Sequence, residues 1–219
     1  LVRSRGLGDV YKRQDIYKSD QVFTRGQMIT VTGIDNLNEW WIDPDFFEKQ
    51  SDGTLKFLPI NGDYRVTANG ILKYFSVIAL KDGKPAKLQD DGTGAIWAIG
   101  KGIGKPSVTS SEVGWETGKA LCLAQVAPKK YQLTLKAGET LKTSGDWEAI
   151  SFKFFYQNDW GGEFSNYASN TLVEQLKLTG SGNLEMQDNK AFEEGGVYRF
   201  TIDVTNGNAN AILKVEKIN

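Results

Sequence analysis

Residues 152–162 read Phe152-Lys153-Phe154-Phe155-Tyr156-Gln157-Asn158-Asp159-Trp160-Gly161-Gly162, an aromatic run that passes directly into a polar loop. The aromatic run is typical of a β-strand, because bulky aromatic side chains favour the extended backbone. The loop places a ring beside amide, acid and lysine side chains. A sugar needs this combination, because its C–H face lies on an aromatic plane and its hydroxyl groups need fixed donors and acceptors. The stretch therefore predicts a strand followed by a glycan-binding loop.

Turn signals around this stretch recur along the whole chain and predict an all-β fold. Twenty-four glycines stand against five prolines, and many of the glycines follow Asn or Asp, as tight hairpin turns require. Helical periodicity is almost absent. The runs between the turns predict these strands: Met28–Thr32, Thr54–Leu58, Asp63–Ala68, Leu72–Leu80, Ala95–Ile99, Lys119–Ala124, Tyr131–Leu135, Ile150–Tyr156, Val197–Thr205 and Ala211–Lys217.

The last two runs predict the clearest hairpin, because apolar and polar residues alternate along 198–204. The residues expected to face the core are Tyr198, Phe200, Ile202 and Val204. A short helix is predicted over Asp43–Lys49, with Asp43 as its cap and Phe46 and Phe47 facing inward. The glycine-rich run Gly100-Lys101-Gly102-Ile103-Gly104-Lys105 lacks the spacing of a phosphate loop and predicts a flexible basic turn.

The polar segment 81–94 separates two apolar regions and predicts a domain boundary. We expect two tandem immunoglobulin-like β-sandwich domains, one over residues 15–90 and one over residues 93–219. Residues 1–14 resemble a translated cloning or adapter scar, common in reading frames from environmental DNA, so native sequence is expected to begin near Asp15. The true N-terminus, with any signal peptide and lipid anchor, is then expected to be missing.

Composition excludes several functions. With 26 basic and 27 acidic residues the chain has no positive excess to hold a phosphate backbone, so no nucleic-acid partner is expected. Cys122 is the single cysteine and lies in an apolar run, which indicates a buried side chain. The absence of histidine removes Ser-His and Cys-His nucleophiles and the commonest transition-metal ligand. We expect no enzyme activity, no cofactor and no metal, although Asp43 and Asp45 leave a structural calcium open.

One catalytic alternative remains, because a glycoside hydrolase needs only two carboxylates. The candidate pairs are Asp43 with Asp45, Asp146 with Glu148, and Asp159 with Glu163. All six acids lie in short polar segments, where acidic turn residues are expected in any case.

Tryptophans supply the candidate binding surfaces. Trp97 lies among apolar neighbours and is expected in the core, whereas Trp160, Trp115 and Trp147 have polar or glycine neighbours. The adjacent pair Trp40 and Trp41 is expected to place one ring in the core and one outside. The exposed ring, with Asn38, is predicted to form a second sugar site or an interdomain contact.

The chain also resembles the C-terminal modules of the SusE/SusF group of Bacteroidetes surface lipoproteins. The resemblance covers about residues 93–219 and rests on these motifs: Ala95-Ile96-Trp97-Ala98-Ile99-Gly100, Gly114-Trp115, Phe152-Lys153-Phe154, Asp159-Trp160-Gly161-Gly162, and Gly196-Val197-Tyr198-Arg199-Phe200-Thr201-Ile202-Asp203-Val204. The segment after Gly100 departs from the usual pattern of that group, which leaves starch no more favoured than another dietary or host glycan.

The resemblance implies a non-catalytic module that holds polysaccharide at the outer membrane, on the cell surface, beside a TonB-dependent transporter. It implies stacking on Trp115 and Trp160 and hydrogen bonds from Lys153 or Asn158. Taken with the loop composition, the predicted ligand-binding residues are Trp160, Trp115, Lys153, Asn158, Asp159, Tyr156 and Trp147. The alternatives are a ligand-free structural or adhesin spacer and a fragment of a carboxylate-dependent glycoside hydrolase.

Overall fold

The computed structural model describes residues 15–146 and 148–219, which divide into two compact units between Ala86 and Lys87. This division lies inside the polar segment 81–94. The predicted scar at residues 1–14 and the predicted site residue Trp147 lie outside the described residues.

The first unit contains two antiparallel sheets within the described residues. The strands are β1 Ile16–Phe23, β2 Met28–Ile29, β3 Phe47–Lys49, β4 Leu55–Phe57, β5 Gly62–Asn69, β6 Tyr74–Lys81 and β7 Lys84–Pro85. One sheet has the order β1-β5-β6-β7 and the other the order β2-β4-β3. A 3-10 turn at Leu37–Glu39 precedes the Trp40–Trp41 pair.

Buried aromatic rings join these two sheets. Phe57 of the smaller sheet stacks on Phe23 at 4.7 Å between ring centroids and meets Tyr64 edge-on at 4.9 Å, both from the larger sheet. Phe47 also contacts Phe57 within the smaller sheet. Ring contacts of this kind stabilise a core beyond the area that they bury.

The second unit contains two larger sheets. The strands are β8 Trp97–Gly104, β9 Glu112–Gly114, β10 Leu121–Cys122, β11 Ala124–Ala127, β12 Lys130–Lys136, β13 Ser151–Phe155, β14 Ser169–Thr171, β15 Leu176–Leu178, β16 Leu184–Met186, β17 Val197–Asp203 and β18 Ile212–Lys217. One sheet has the order β10-β8-β13-β16-β15, with β9 paired to β8. The other has the order β11-β12-β17-β18-β14. Short helical segments lie at α1 Val108–Ser111, Thr117–Lys119 and Asn208–Asn210.

The core of the second unit lies between these sheets. Phe152 of β13 contacts Phe200 of β17, with ring centroids 5.5 Å apart. The predicted hairpin of β17 and β18 is confirmed by its antiparallel pairing. Its four expected core residues are all buried, as are Trp97 and Cys122.

The predicted helix over Asp43–Lys49 is wrong. Residues 44–46 form a turn, and the chain then continues as strand β3. Asp43 does cap this turn, because its carboxylate accepts the Asp45 amide at 3.0 Å. Phe47 pairs with Phe57 in the sheet, and this pairing ends the helical geometry after one turn. The expected inward orientation of Phe46 and Phe47 is confirmed by their burial.

The predicted flexible turn at Gly100–Lys105 is also wrong, because strand β8 extends through Gly104. Gly100 has a φ of 141°, and a Cβ there would lie 2.4 Å from the Cα of Phe152. Glycine is therefore required by the close approach of β8 to β13, rather than by flexibility.

The described fold is nearly all β with several sheets, which confirms the all-β prediction. The finer prediction of tandem immunoglobulin-like domains is not established by this topology. Within the described residues, the helical segments are all too short to cross a bilayer.

Candidate functional site

Strand β13 lies centrally in its sheet, between β8 and β16. Side chains alternate between the two faces of a strand. Phe152 and Phe154 face the core, where both contact Phe200. Lys153 and Phe155 therefore lie on the opposite, outer face of the sheet.

The loop after β13 is closed by pairing of its two ends. The Tyr156 amide donates to the Gly162 carbonyl at 2.6 Å, and the Phe164 amide donates to Phe154 at 3.0 Å. Gly161 and Gly162 have φ values of 83° and 66°. Two successive left-handed residues strongly favour glycine, which explains the Trp-Gly-Gly sequence.

Trp160 lies at the tip of this loop with its backbone held on both sides. Its amide donates to the Asp159 carboxylate at 2.8 Å, and its carbonyl accepts the Gln157 side-chain amide at 2.6 Å. The residue is nevertheless 52% exposed. A large ring is thus presented outward from a backbone that is fixed within the loop.

Two other aromatic rings support Trp160. Phe155 is buried and meets Trp160 edge-on, with centroids 6.0 Å apart and planes at 76°. Trp115, which follows β9, lies 6.3 Å from Trp160 with planes only 26° apart. The structure therefore brings together the two tryptophans that were predicted to stack sugars, with Phe155 beneath.

Lys153 is buried, and its ammonium donates to the Glu163 carboxylate at 3.0 Å. Its side chain is only 9% exposed, whereas that of Glu163 is 39% exposed. The backbone of Glu163 forms an isolated antiparallel β-bridge with the backbone of Phe155, across the loop. Lys153 therefore anchors the returning chain, and the predicted hydrogen bond from Lys153 to a ligand has to compete with this ion pair.

Asn158 and Asp159 lie beside Trp160 in the loop. The Asn158 side chain is half-buried and makes no hydrogen bond to the described part of the chain. Asp159 is exposed and uses one carboxylate oxygen for the Trp160 amide. Both side chains keep polar atoms free for a ligand.

Tyr156 packs away from the tryptophan pair. Its ring meets Phe164 edge-on at 4.4 Å, and Phe164 stacks on Tyr167 at 5.7 Å. Burial raises the pKa of Tyr156 above its usual 10.0. Burial, with Tyr156 nearby, also raises the pKa of Tyr167, more strongly. Tyr156 is therefore half-buried and packs in an aromatic column with Phe164 and Tyr167, apart from the tryptophan pair.

The candidate catalytic acids serve other contacts. Asp146 accepts the Glu148 amide at 3.1 Å, and Glu148 pairs with Lys101. Asp43 and Asp45 are buried. Among the described residues, no group of three or more His, Cys, Asp or Glu side chains is placed to hold a metal ion.

Trp40 and Trp41 depart from the expected division into one buried and one exposed ring. Both are half-buried. Trp40 stacks on Phe75 at 4.7 Å, and Trp41 meets Tyr74 edge-on at 6.3 Å. Asn38 accepts a hydrogen bond from the Lys49 ammonium. Residues 40 and 41 directly follow the 3-10 turn, and Trp41 forms an isolated β-bridge with Tyr74. The two residues therefore lack the regular alternation of a strand, on which the prediction depended.

Sequence reasoning gave no site role to Phe155 or Gln157, and it named Glu163 only as a candidate catalytic acid with Asp159. Because side chains alternate between the two faces of a strand, Phe155 could have been predicted on the same face of β13 as Lys153, two residues earlier. No sequence signal pairs Lys153 with Glu163 or directs the Gln157 amide to the Trp160 carbonyl.

Fold and site together define an all-β protein whose second unit presents a supported, exposed tryptophan. The chain belongs to the DUF5121 family, described as a domain of unknown function, whose model matches residues 91–205. A second model, DUF5125, also described as a domain of unknown function, matches residues 7–88 and so reaches into the segment predicted as a scar. Neither description names the SusE/SusF group. No curated protein matches the chain.

Proposed function

We propose that this chain binds polysaccharide or oligosaccharide without catalysis, and that the second unit holds a sugar ring on the free face of Trp160. The observation that carries the proposal is the geometry of this one residue. Trp160 is 52% exposed, although its backbone is hydrogen-bonded within the loop and its ring rests on Phe155 and Trp115. A pre-organised apolar ring beside free polar groups suits stacking of a sugar better than it suits packing.

Polar groups around the ring support the same proposal. Asn158 offers both a donor and an acceptor to sugar hydroxyls, and Asp159 offers a second carboxylate oxygen. Trp115 serves mainly as a support, because its ring lies nearly parallel to Trp160 and close to it. Lys153 acts from beneath through Glu163.

A single exposed ring buries little ligand surface, so binding at one site is weak. The ligand also loses conformational freedom when it is held. Several sites along one polysaccharide raise the overall affinity through effective concentration. The predicted second site consists of Trp40, Trp41 and Asn38. Phe75 partly covers the Trp40 ring, and Tyr74 meets the Trp41 ring edge-on.

We also propose the cellular setting that the SusE/SusF resemblance implies. In this setting a lipid anchor holds the protein at the outer-membrane surface beside a TonB-dependent transporter. The corresponding fold proposal is two tandem immunoglobulin-like β-sandwiches. It is supported by the pair of sheets in each unit and by the aromatic rings that join them.

The test is affinity-gel electrophoresis of the purified chain across a panel of soluble polysaccharides. Retardation of the wild type by one glycan, lost in Trp160→Ala, is the expected result. Tyr17→Ala is the matched control, because Tyr17 is also an exposed aromatic residue but lies in the first unit. Its retardation should equal that of the wild type.

Two results would contradict the proposal. Absence of retardation by every glycan would favour a structural or adhesin spacer. Release of reducing ends from a retained glycan, lost in Asp159→Asn or Glu163→Gln, would favour the carboxylate-dependent hydrolase.

A further inference from the structure

Three acidic side chains lie near the two tryptophans, and they differ in whether a lysine forms an ion pair with them. Glu116 directly follows Trp115 and pairs with Lys119 at 3.0 Å. Glu163 pairs with Lys153 at 3.0 Å. Asp159 directly precedes Trp160, and among the described residues no lysine or arginine lies within ion-pair distance of it. Asp159 therefore leaves one uncompensated negative charge beside the exposed ring.

This charge is fixed in place. The Trp160 amide donates to the Asp159 carboxylate at 2.8 Å, which orients the side chain but does not cancel its charge. The residue is exposed, so the charge acts on whatever approaches the ring. A ligand stacked on Trp160 therefore brings its substituents close to a carboxylate.

We propose that Asp159 makes the Trp160 site select neutral glycans against anionic ones, such as glycans bearing uronate, carboxymethyl or sulfate groups. This inference rests on the proposed function. Neutral hydroxyl groups donate hydrogen bonds to the carboxylate and to the Asn158 amide oxygen, whereas an anionic substituent is repelled by the carboxylate. Lys153 offers little compensation, because it is buried and paired with Glu163.

The expected magnitude is modest, because the charge is solvated. Repulsion between two exposed charges across a few ångströms of water amounts to about threefold in affinity for each nearby anionic group. The repulsion should weaken as salt increases, since the screening length is about 8 Å at physiological ionic strength.

The experiment compares matched neutral and anionic probes with the full chain. The probe pairs are soluble starch with carboxymethyl starch, dextran with carboxymethyl dextran, and hydroxyethyl cellulose with carboxymethyl cellulose. Affinity-gel electrophoresis at low salt is run with the wild type, Asp159→Asn and Asp90→Asn. The asparagine at 159 keeps an oxygen for the Trp160 amide while it removes the charge. Asp90 is an exposed acid elsewhere in the unit and serves as the control.

For the pair whose neutral member binds, the wild type should prefer the neutral probe by several-fold. Asp159→Asn should reduce this preference by about threefold, added salt should also reduce it, and Asp90→Asn should leave it unchanged. Equal reduction by both variants, or an unchanged preference in Asp159→Asn, would overturn the inference while the proposed function stands. Equal or tighter binding of the anionic member by the wild type would also overturn this inference, whereas the proposed function is contradicted only when no glycan of the full panel retards the wild type.

Discussion

The ring centroids of Trp160 and Trp115 lie 6.3 Å apart, with the two ring planes at 26°, although the residues follow different strands of the second unit. Trp115 follows the short strand β9, and Trp160 lies in the loop after β13. Strand β8 pairs with both strands and so brings the two rings together. The exposed ring is therefore supported from a second element of the fold.

Trp115→Ala should weaken glycan binding about three- to tenfold, because an aromatic pair contributes about 0.5–1.5 kcal/mol beyond its buried area. Trp115→Phe should retain most of the affinity, since a ring still supports Trp160. Affinity-gel electrophoresis with the retained glycan measures both. If Trp115→Ala binds like the wild type, Trp160 does not depend on this support.

Gly162→Ala should destabilise the second unit by about 1–2 kcal/mol, because a φ of 66° is costly for any residue with a Cβ. The added Cβ would also lie 3.2 Å from the Tyr156 Cβ. Urea unfolding followed by tryptophan fluorescence measures the change. Gly180→Ala is the control, since its Cβ would meet open space. Equal stability of the two variants would contradict the role given to Gly162.

Glu163→Gln should destabilise the protein more than Lys153→Met. The first change leaves a buried ammonium without its carboxylate, whereas methionine replaces the lysine stem with an apolar chain of similar length. Because Glu163 is partly exposed, we expect only about 1–2 kcal/mol for Glu163→Gln. Lys177→Met, from the exposed pair with Asp188, should change the free energy of unfolding by less than about 0.5 kcal/mol. Equal costs for Glu163→Gln and Lys153→Met would contradict the anchoring role.

Tyr167→Phe should stabilise the protein at neutral pH by up to about 1 kcal/mol. The Tyr167 hydroxyl is buried, and among the described residues it has no hydrogen-bond partner, so its removal relieves a desolvation cost. Denaturant unfolding measures this, with Tyr17→Phe as an exposed control. A loss of stability in Tyr167→Phe would show that the hydroxyl is satisfied.

The same residue predicts the response to alkaline pH. Burial raises the pKa of Tyr167 above its unfolded value of 10.0. Above pH 10 the unfolded chain therefore loses a proton that the folded chain keeps, and stability falls as pH rises. Unfolding from pH 8 to pH 11 should show a steeper alkaline loss in the wild type than in Tyr167→Phe. Parallel profiles would contradict this assignment.

Much of the fold could be predicted from regular patterns. Alternation along β17 identified its buried face, because a strand exposes one set of side chains and buries the other. Strand β1 was missed because Ile16–Phe23 is largely polar and forms a sheet edge. The helix at Asp43–Lys49 was wrong because pairing of Phe47 with β4, which is distant in sequence, overrode a local capping signal.

The candidate site could be predicted only in part. Glycines after Trp160 correctly indicated an exposed residue, but the support from Trp115 depends on the sheet order. Tyr156 follows Phe155 by one residue and therefore faces the other side, where it packs on Phe164. The partner of Lys153 is set by the closure of the loop at Glu163, which local sequence does not encode.

The central claim is that Trp160 holds a sugar ring, and titration calorimetry tests it most directly. An oligosaccharide of the glycan retained in the gel is titrated into wild type, Trp160→Phe and Trp160→Ala. We predict measurable heat for the wild type, weaker binding for Trp160→Phe, and at least a tenfold loss for Trp160→Ala with its unfolding temperature nearly unchanged. Equal affinity of Trp160→Ala and wild type would contradict the claim.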